Sequence, residues 1–179
     1  MSELKLLYMF PRCRYLLWAM LLLPVTVLAQ WTVVTHQISD SGAPTRIAET
    51  TNSDGYSLEI YRDSGGAIRS RLTMANGLIA LADKTCPTYQ IDKGRPRNRS
   101  INDAPCISKP QWAEFILGHV KDGKIESAAL RGLMNGINIT FRFILTNGDY
   151  RQTTFSLAGS MRTMTTAFGQ DIVVTTDNN

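Results

Sequence analysis

Histidine is scarce in this chain, with only His36 and His119, and the motifs that concentrate catalytic chemistry are missing. There is no HExxH, no GxSxG, no P-loop and no glycine-rich dinucleotide signature leading into a helix. Acidic residues are scattered singly, so no cluster is ready to hold Ca²⁺ or Zn²⁺. None of the three cysteines falls in a CxxC, which removes the usual redox and zinc spacings. Nor is there an internal repeat, a low-complexity block or an interdomain linker, and no cofactor is implied. What remains is 179 residues, 44% hydrophobic and 19% charged. That is enough for one domain with a real core and too little for two, and it is neither disordered nor fibrous.

One segment stands apart. Lys5, Arg12 and Arg14 precede an apolar run from Tyr15 to Ala29, broken only by Pro24 and Thr26 and ending in Val27-Leu28-Ala29. A basic start, a fifteen-residue apolar stretch and a small-residue exit read as a secretory signal peptide, residues 1–29, cleaved after Ala29. A bilayer span needs about 20 apolar residues, so an anchor is the weaker reading. No cysteine follows the cleavage point, which disfavours a lipoprotein. Cleavage removes three basic residues and Glu3 and brings the net charge from +4 to +2, no longer an argument for nucleic acid as a partner.

Export also changes the meaning of cysteine. Cys13 leaves with the signal, and Cys86 and Cys106 remain as an even pair in an oxidising compartment, where a disulfide is expected. A catalytic or metal-binding role would need partners that the spacing does not supply.

The mature chain, residues 30–174, reads as strands followed by a polar tail over 175–179. Trp31 to Thr35 is β-branched and aromatic, a good opening strand. Tyr56–Arg62 and Ala67–Met74 flank the glycine-bearing turn Asp63-Ser64-Gly65-Gly66, and Asn76-Gly77 precedes Leu78 to Leu81. The strongest signal is late. Ile137, Ile139, Phe141 and Phe143 alternate with polar residues, then Thr146-Asn147-Gly148-Asp149 turns into Arg151, Thr153, Phe155 and Leu157 on alternate positions, a hairpin pattern. Two short helices are expected. Ser108-Lys109-Pro110-Gln111 resembles a capped start for Trp112, Phe115, Ile116, His119 and Val120 at helical spacing, with a strand over Phe115–Val120 as the rival. Ser160–Phe168 is the other, with Met161, Met164, Thr165 and Phe168 on one side. The sum is a mainly β single domain, an antiparallel β-sandwich or partly closed barrel with one or two short helices.

Candidate functional residues are few. Lys93, Arg95, Arg97 and Arg99 place four cations in seven residues, with Pro96 among them, inside the loop that a Cys86–Cys106 bridge would close. Arginine presents a planar fork of donors, so such a loop suits phosphate or carboxylate. The plainer reading is a solvated loop kept soluble by charge. His119, beside Trp112 and Phe115 on the expected helix face, reads as packed rather than catalytic, and His36 has no motif around it. Asn98-Arg99-Ser100 and Asn138-Ile139-Thr140 match the glycosylation acceptor pattern, the second in mid-strand.

In sequence order, the chain resembles the invasion-associated locus B family of exported bacterial proteins. The resemblance rests on Trp31 near the mature start and on Asn76-Gly77-Leu78 leading to Tyr89-Gln90-Ile91-Asp92. It continues through Cys106, an amphipathic segment ending in Gly123-Lys124, and Ser156-Leu157-Ala158-Gly159 before a short helix. The chain departs from the family pattern in lacking an early cysteine after the tryptophan and a second cysteine near Cys106. The resemblance implies a β-sandwich in the periplasm or at the outer membrane, linked in some members to host-cell invasion, and no catalytic residues.

The leading expectation is therefore a non-enzymatic exported binding module that meets a protein, an acidic glycan or an anionic envelope component. A periplasmic hydrolase or inhibitor-type domain using His119 or His36 is one alternative. A structural subunit of an envelope assembly is the other.

Overall fold

A computed structural model of the chain describes residues 30–36, 44–75, 80–98, 106–169 and 173–175. The signal segment 1–29, Asn76-Gly77 and Arg99 lie outside the described residues. The fold is mainly β, as expected, and no sheet closes into a barrel among the described residues.

The larger sheet has six strands: β1 (Thr32–His36), β2 (Thr45–Thr51), β3 (Ser57–Arg62), β4 (Ala67–Thr73), β6 (Cys106–Lys109) and β7 (Trp112–His119). They lie in the order β1-β2-β3-β4-β7-β6, every pair antiparallel. A smaller sheet stacks β10 (Tyr150–Ser156), β9 (Asn138–Ile144) and β5 (Thr88–Ile91), again antiparallel. A parallel pair of β8 (Lys124–Glu126) and β11 (Val173–Thr175) and two helices, α1 (Ala128–Asn135) and α2 (Ser160–Phe168), complete it. β11 carries order to Thr175, the first residue of the expected tail.

The core lies between the two sheets. Ala48, Leu58, Ile60, Ile68, Leu72, Ala113 and Phe115 face inward from the large sheet and are buried. Phe115 meets Tyr89 at 5.4 Å and Phe141 at 6.0 Å between ring centroids, and Phe141 meets Phe155 edge-on at 6.1 Å. The two Phe115 contacts fasten the small sheet to the large one, and the tilted and edge-on geometries suit ring quadrupoles. The helices cover the rest of the inner face, α2 lying on β1, β2 and β3.

Turn chemistry places the hairpins. In β3–β4, Gly66 N–H bonds to Asp63 O at 3.0 Å and Gly66 sits at φ +81°. The Asp63 carboxylate accepts from Gly65 N–H and Ala67 N–H at 2.9 and 2.8 Å, closing the turn from inside. The β9–β10 turn repeats the arrangement, with Gly148 N–H on Leu145 O and Gly148 at φ +87°. A type I turn followed by a left-handed glycine is the three-residue solution for hairpins.

Three local expectations are corrected. Residues 108–120 are not a helix: Ser108 and Lys109 end β6, Pro110 and Gln111 form the turn, and Trp112–His119 is β7. Ala113, Phe115 and Leu117 point to the core while Trp112, Glu114 and Ile116 sit half-buried or buried on the other face. A strand apolar on both faces loses its two-residue signature and imitates helical spacing. His119 is consequently exposed, not packed beside Phe115. Ile137 precedes β9 and is 73% exposed, outside the alternation that holds Ile139, Phe141 and Phe143 in the core. In α2, formed where expected, Thr163, Met164, Ala167 and Phe168 are buried, whereas Met161 is exposed.

α1 has no counterpart in the sequence reading. Ser127 caps it, its Oγ accepting from Leu130 N–H at 3.0 Å and donating to Leu117 O at 2.5 Å. Leu130 and Leu133 reach the core. The signal was Ser127 followed by Ala129, Leu130 and Leu133 at helical spacing.

Candidate functional site

Charge collects in two places. On the outward face of the large sheet, register sets Tyr61, Arg69 and Ile116 in one row and Glu59, Arg71 and Glu114 in the next. Glu114, buried in mid-strand, is the centre. Its Oε2 accepts from Tyr61 Oη at 2.5 Å and from Arg71 Nη2 at 2.9 Å, and its Oε1 from Arg69 Nη1 at 2.7 Å. Arg69 Nε also reaches Asp63 at 2.6 Å, and the Arg71 guanidinium lies 5.0 Å from the centre of the Trp112 ring.

Burial would push the Glu114 carboxyl up, but hydrogen bonds from Tyr61, Arg71 and Arg69 outweigh it and hold it below the ordinary carboxylate value. Burial and the bond to Glu114 push the Tyr61 hydroxyl up. Both carboxylate oxygens are engaged and both guanidiniums are neutralised, so the cluster is closed upon itself. It holds strands β3, β4 and β7 in register rather than offering groups to a ligand. The sequence hinted at it through Arg69 and Arg71 on alternate positions and a lone acid inside the apolar run 112–117.

The second place is the expected basic loop. Cys86 and Cys106 form the anticipated disulfide, with Cα atoms 6.1 Å apart. It ties the approach to β5 to the first residue of β6, the edge strands of the two sheets. Past β5 the chain turns sharply. Asp92 sits at φ +49°, Gly94 N–H bonds to Ile91 O at 2.9 Å, and a Cβ on Gly94 would meet that oxygen at 2.9 Å. The return is pinned to β5: Arg97 N–H donates to Tyr89 O at 2.7 Å, and Tyr89 N–H to Arg97 O at 3.3 Å. Asn98 Nδ2 donates to Pro87 O at 3.0 Å.

The backbone of residues 92–98 is thus held while the three cations it carries are free. Lys93, Arg95 and Arg97 are exposed, and none makes a side-chain hydrogen bond or ion pair among the described residues. Arg99 lies outside the described residues. The nearest acid in sequence, Asp92, is occupied elsewhere: its Oδ1 accepts from Ile137 N–H and Asn138 N–H at 3.0 and 2.8 Å.

His36 ends β1 and His119 ends β7, both exposed, and neither side chain has a hydrogen-bond partner among the described residues. No Ser, Cys or carboxylate is bonded to either imidazole there. No group of His, Cys, Asp and Glu able to hold a metal occurs among the described residues. Comparisons with protein-family models, curated proteins and solved structures find no match to the chain.

Proposed function

We propose that the protein is an exported, non-enzymatic binding module that holds an anionic envelope or host component through the disulfide-closed loop bearing Lys93, Arg95, Arg97 and Arg99. One observation carries this reading. Arg69, Arg71 and Arg151 are each paired with a carboxylate, whereas Lys93, Arg95 and Arg97 stand exposed and unpaired on a fixed backbone. An uncompensated cation cluster attracts anions, and fixing the backbone beforehand reduces the ordering that binding requires.

Export is supported by the signal-like segment 1–29 and by a disulfide, which persists in oxidising compartments. No described helix is long and apolar enough to cross a membrane. The resemblance to the invasion-associated locus B family points the same way.

The test is photo-cross-linking from position 97 in the native cell, with mass spectrometry of the adduct, beside binding measured for the variant carrying Arg95→Ala, Arg97→Ala and Arg99→Ala. A dominant adduct, with binding weakened and its salt dependence flattened at an unchanged melting temperature, is the expected result. Unchanged binding would remove the loop's role.

A further inference from the structure

The six-stranded and three-stranded sheets end in the outer strands β1, β6, β5 and β10, and all but β1 are guarded. On β5, Arg97 takes up the outward N–H and C=O of Tyr89, and Gly94 N–H bonds to Ile91 O at 2.9 Å. On β10, Asn52 Nδ2 donates to Thr154 O at 3.0 Å and Trp31 Nε1 donates to Ser156 O at 2.8 Å. β6 is tethered at Cys106 by the disulfide and ends in the exposed cation Lys109. Covering groups, short strands and lysines all keep a sheet edge from pairing with another chain.

β1, Thr32–His36, has none of these. It contains no Lys, Arg, Asp, Glu or Pro, and it pairs with β2 without a bulge. Which of its backbone groups are free follows from the ladder. In the β2–β3 turn, Asn52 N–H bonds to Tyr56 O at 3.0 Å. Hydrogen-bonded pairs alternate from there, so Thr50 and Ala48 bond to β3, while Glu49, Ile47 and Thr45 turn to β1. Their partners Thr32, Val34 and His36 are thereby engaged. The N–H and C=O groups of Val33 and Thr35 point away from β2, both residues are exposed, and no hydrogen bond reaches those groups among the described residues.

We propose that β1 is a self-association edge, pairing antiparallel with β1 of a second copy about a twofold axis at Val34. In that register Val33 lies opposite Thr35 of the other copy, and the free donors and acceptors of each meet those of the other. The free groups come as two residues exchanged by the axis, so the complement of this edge is the edge itself. Val34, half-buried beside Ile47, meets its own copy in a non-hydrogen-bonded pair, where side chains approach most closely. An axis at Val33 would instead set Thr35 against Trp31, whose carbonyl already faces the Thr163 hydroxyl of α2 at 3.5 Å. No Lys, Arg or carboxylate is carried on either strand to repel its copy. The pairing would join the two six-stranded sheets edge to edge and leave the basic loop untouched, since that loop follows β5 in the other sheet.

The experiment follows the oxidised mature protein by sedimentation velocity over a range of concentrations, with amide exchange measured alongside. A monomer–dimer equilibrium is expected. Exchange at Val33 and Thr35 should slow as concentration rises, whereas Val34, already bonded to β2, should be protected throughout. Thr35→Pro removes a donor on the free side only, a place where an edge strand tolerates proline, and should weaken the dimer about thirtyfold through one lost bond per copy. Val34→Lys and Val34→Glu should each be monomeric alone and associate when mixed, because the axis then sets opposite charges face to face. A chain monomeric at every concentration overturns the proposal. So does a dimer indifferent to Thr35→Pro and to both Val34 variants, which would place the interface elsewhere. Should Thr35→Pro lower the melting temperature, the Val34 mixture decides, and failure of the mixed variants to associate overturns the proposal.

Discussion

Tyr61 and Glu114 meet at 2.5 Å across an intervening strand, the hydroxyl of β3 donating to the carboxylate of β7 over the backbone of β4. The Arg71 guanidinium, from β4 itself, donates to both partners, to Tyr61 Oη at 2.9 Å and to Glu114 Oε2 at 2.9 Å. One buried carboxylate thereby ties three strands together on the face turned away from the core.

Removing that carboxylate should be severe. Glu114→Ala leaves Arg69, Arg71 and the Tyr61 hydroxyl without their common acceptor, and an expected loss of roughly 3 kcal/mol follows from breaking a buried pair on one side. Glu114→Gln keeps an acceptor oxygen and should lose less. Urea unfolding of both variants checks the order, and equal losses would show that the charge is irrelevant.

Acid should act through the same group. The folded carboxyl of Glu114 is held below its ordinary value, so its contribution is complete above that value and disappears as pH falls through the folded pKa. Asp63, lowered by its bonds to Arg69, Ala67 N–H and Gly65 N–H against the cost of burial, adds to this. Melting temperature measured from neutral to acid pH should fall in the wild type and fall less in Glu114→Gln.

Glu59 runs the opposite way. Burial raises its carboxyl above the ordinary 4.5 despite Arg71, and Glu49 opposite it in the register adds to the rise. Its charged form is therefore disfavoured on folding, and stability is lost as pH rises through its folded pKa. Glu59→Gln should melt higher than wild type at neutral pH, with the difference vanishing below the ordinary carboxylate range. A variant that melts lower at neutral pH would mean that the Arg71 contact at 3.8 Å outweighs burial.

The disulfide closes a loop of 20 residues by sequence separation. Replacing Cys86 and Cys106 by Ser should cost about 3 kcal/mol, mainly through the freed unfolded chain. The pinned backbone of the basic loop should loosen as well, seen as faster amide exchange at Arg97, whose N–H is bonded to Tyr89 O. Protection unchanged at Arg97 would show that the β5 pairing holds the loop unaided.

Asn52 separates two jobs within one side chain. Its Oδ1 accepts from Asp54 N–H and Tyr56 N–H in the β2–β3 turn, while its Nδ2 donates to Thr153 Oγ1 and Thr154 O on β10. Asn52→Asp retains the acceptor and loses the donors, so a loss of about 1–2 kcal/mol would report the tie between the sheets alone. Asn52→Ala should lose more, because the turn is also deprived of its acceptor.

Local chemistry was legible without a fold. The hairpins around Asp63–Gly66 and Thr146–Asp149 depend on residues within a few positions, and their glycines and alternation announce them. The cysteine pair and the run of cations from Lys93 also stand in the sequence, because compartment and composition suffice to pick them out. The Glu114 cluster was not legible in the same way: Tyr61, Arg69 and Arg71 reach it from 53, 45 and 43 positions away, and only strand order makes them neighbours.

The sequence by itself determined a β-rich chain, its hairpin turns, the second helix and the disulfide, all set by periodicity, turn residues or cysteine count. Tertiary structure decided that residues 112–119 are a strand, because an inner strand covered on both faces has no periodicity of its own. It likewise decided which cations are free. Arg69 and Arg71 look no different in sequence from Arg95 and Arg97, and only the placement of Glu114 on the neighbouring strand and of Asp63 in the β3–β4 turn neutralises the first pair and leaves the second exposed.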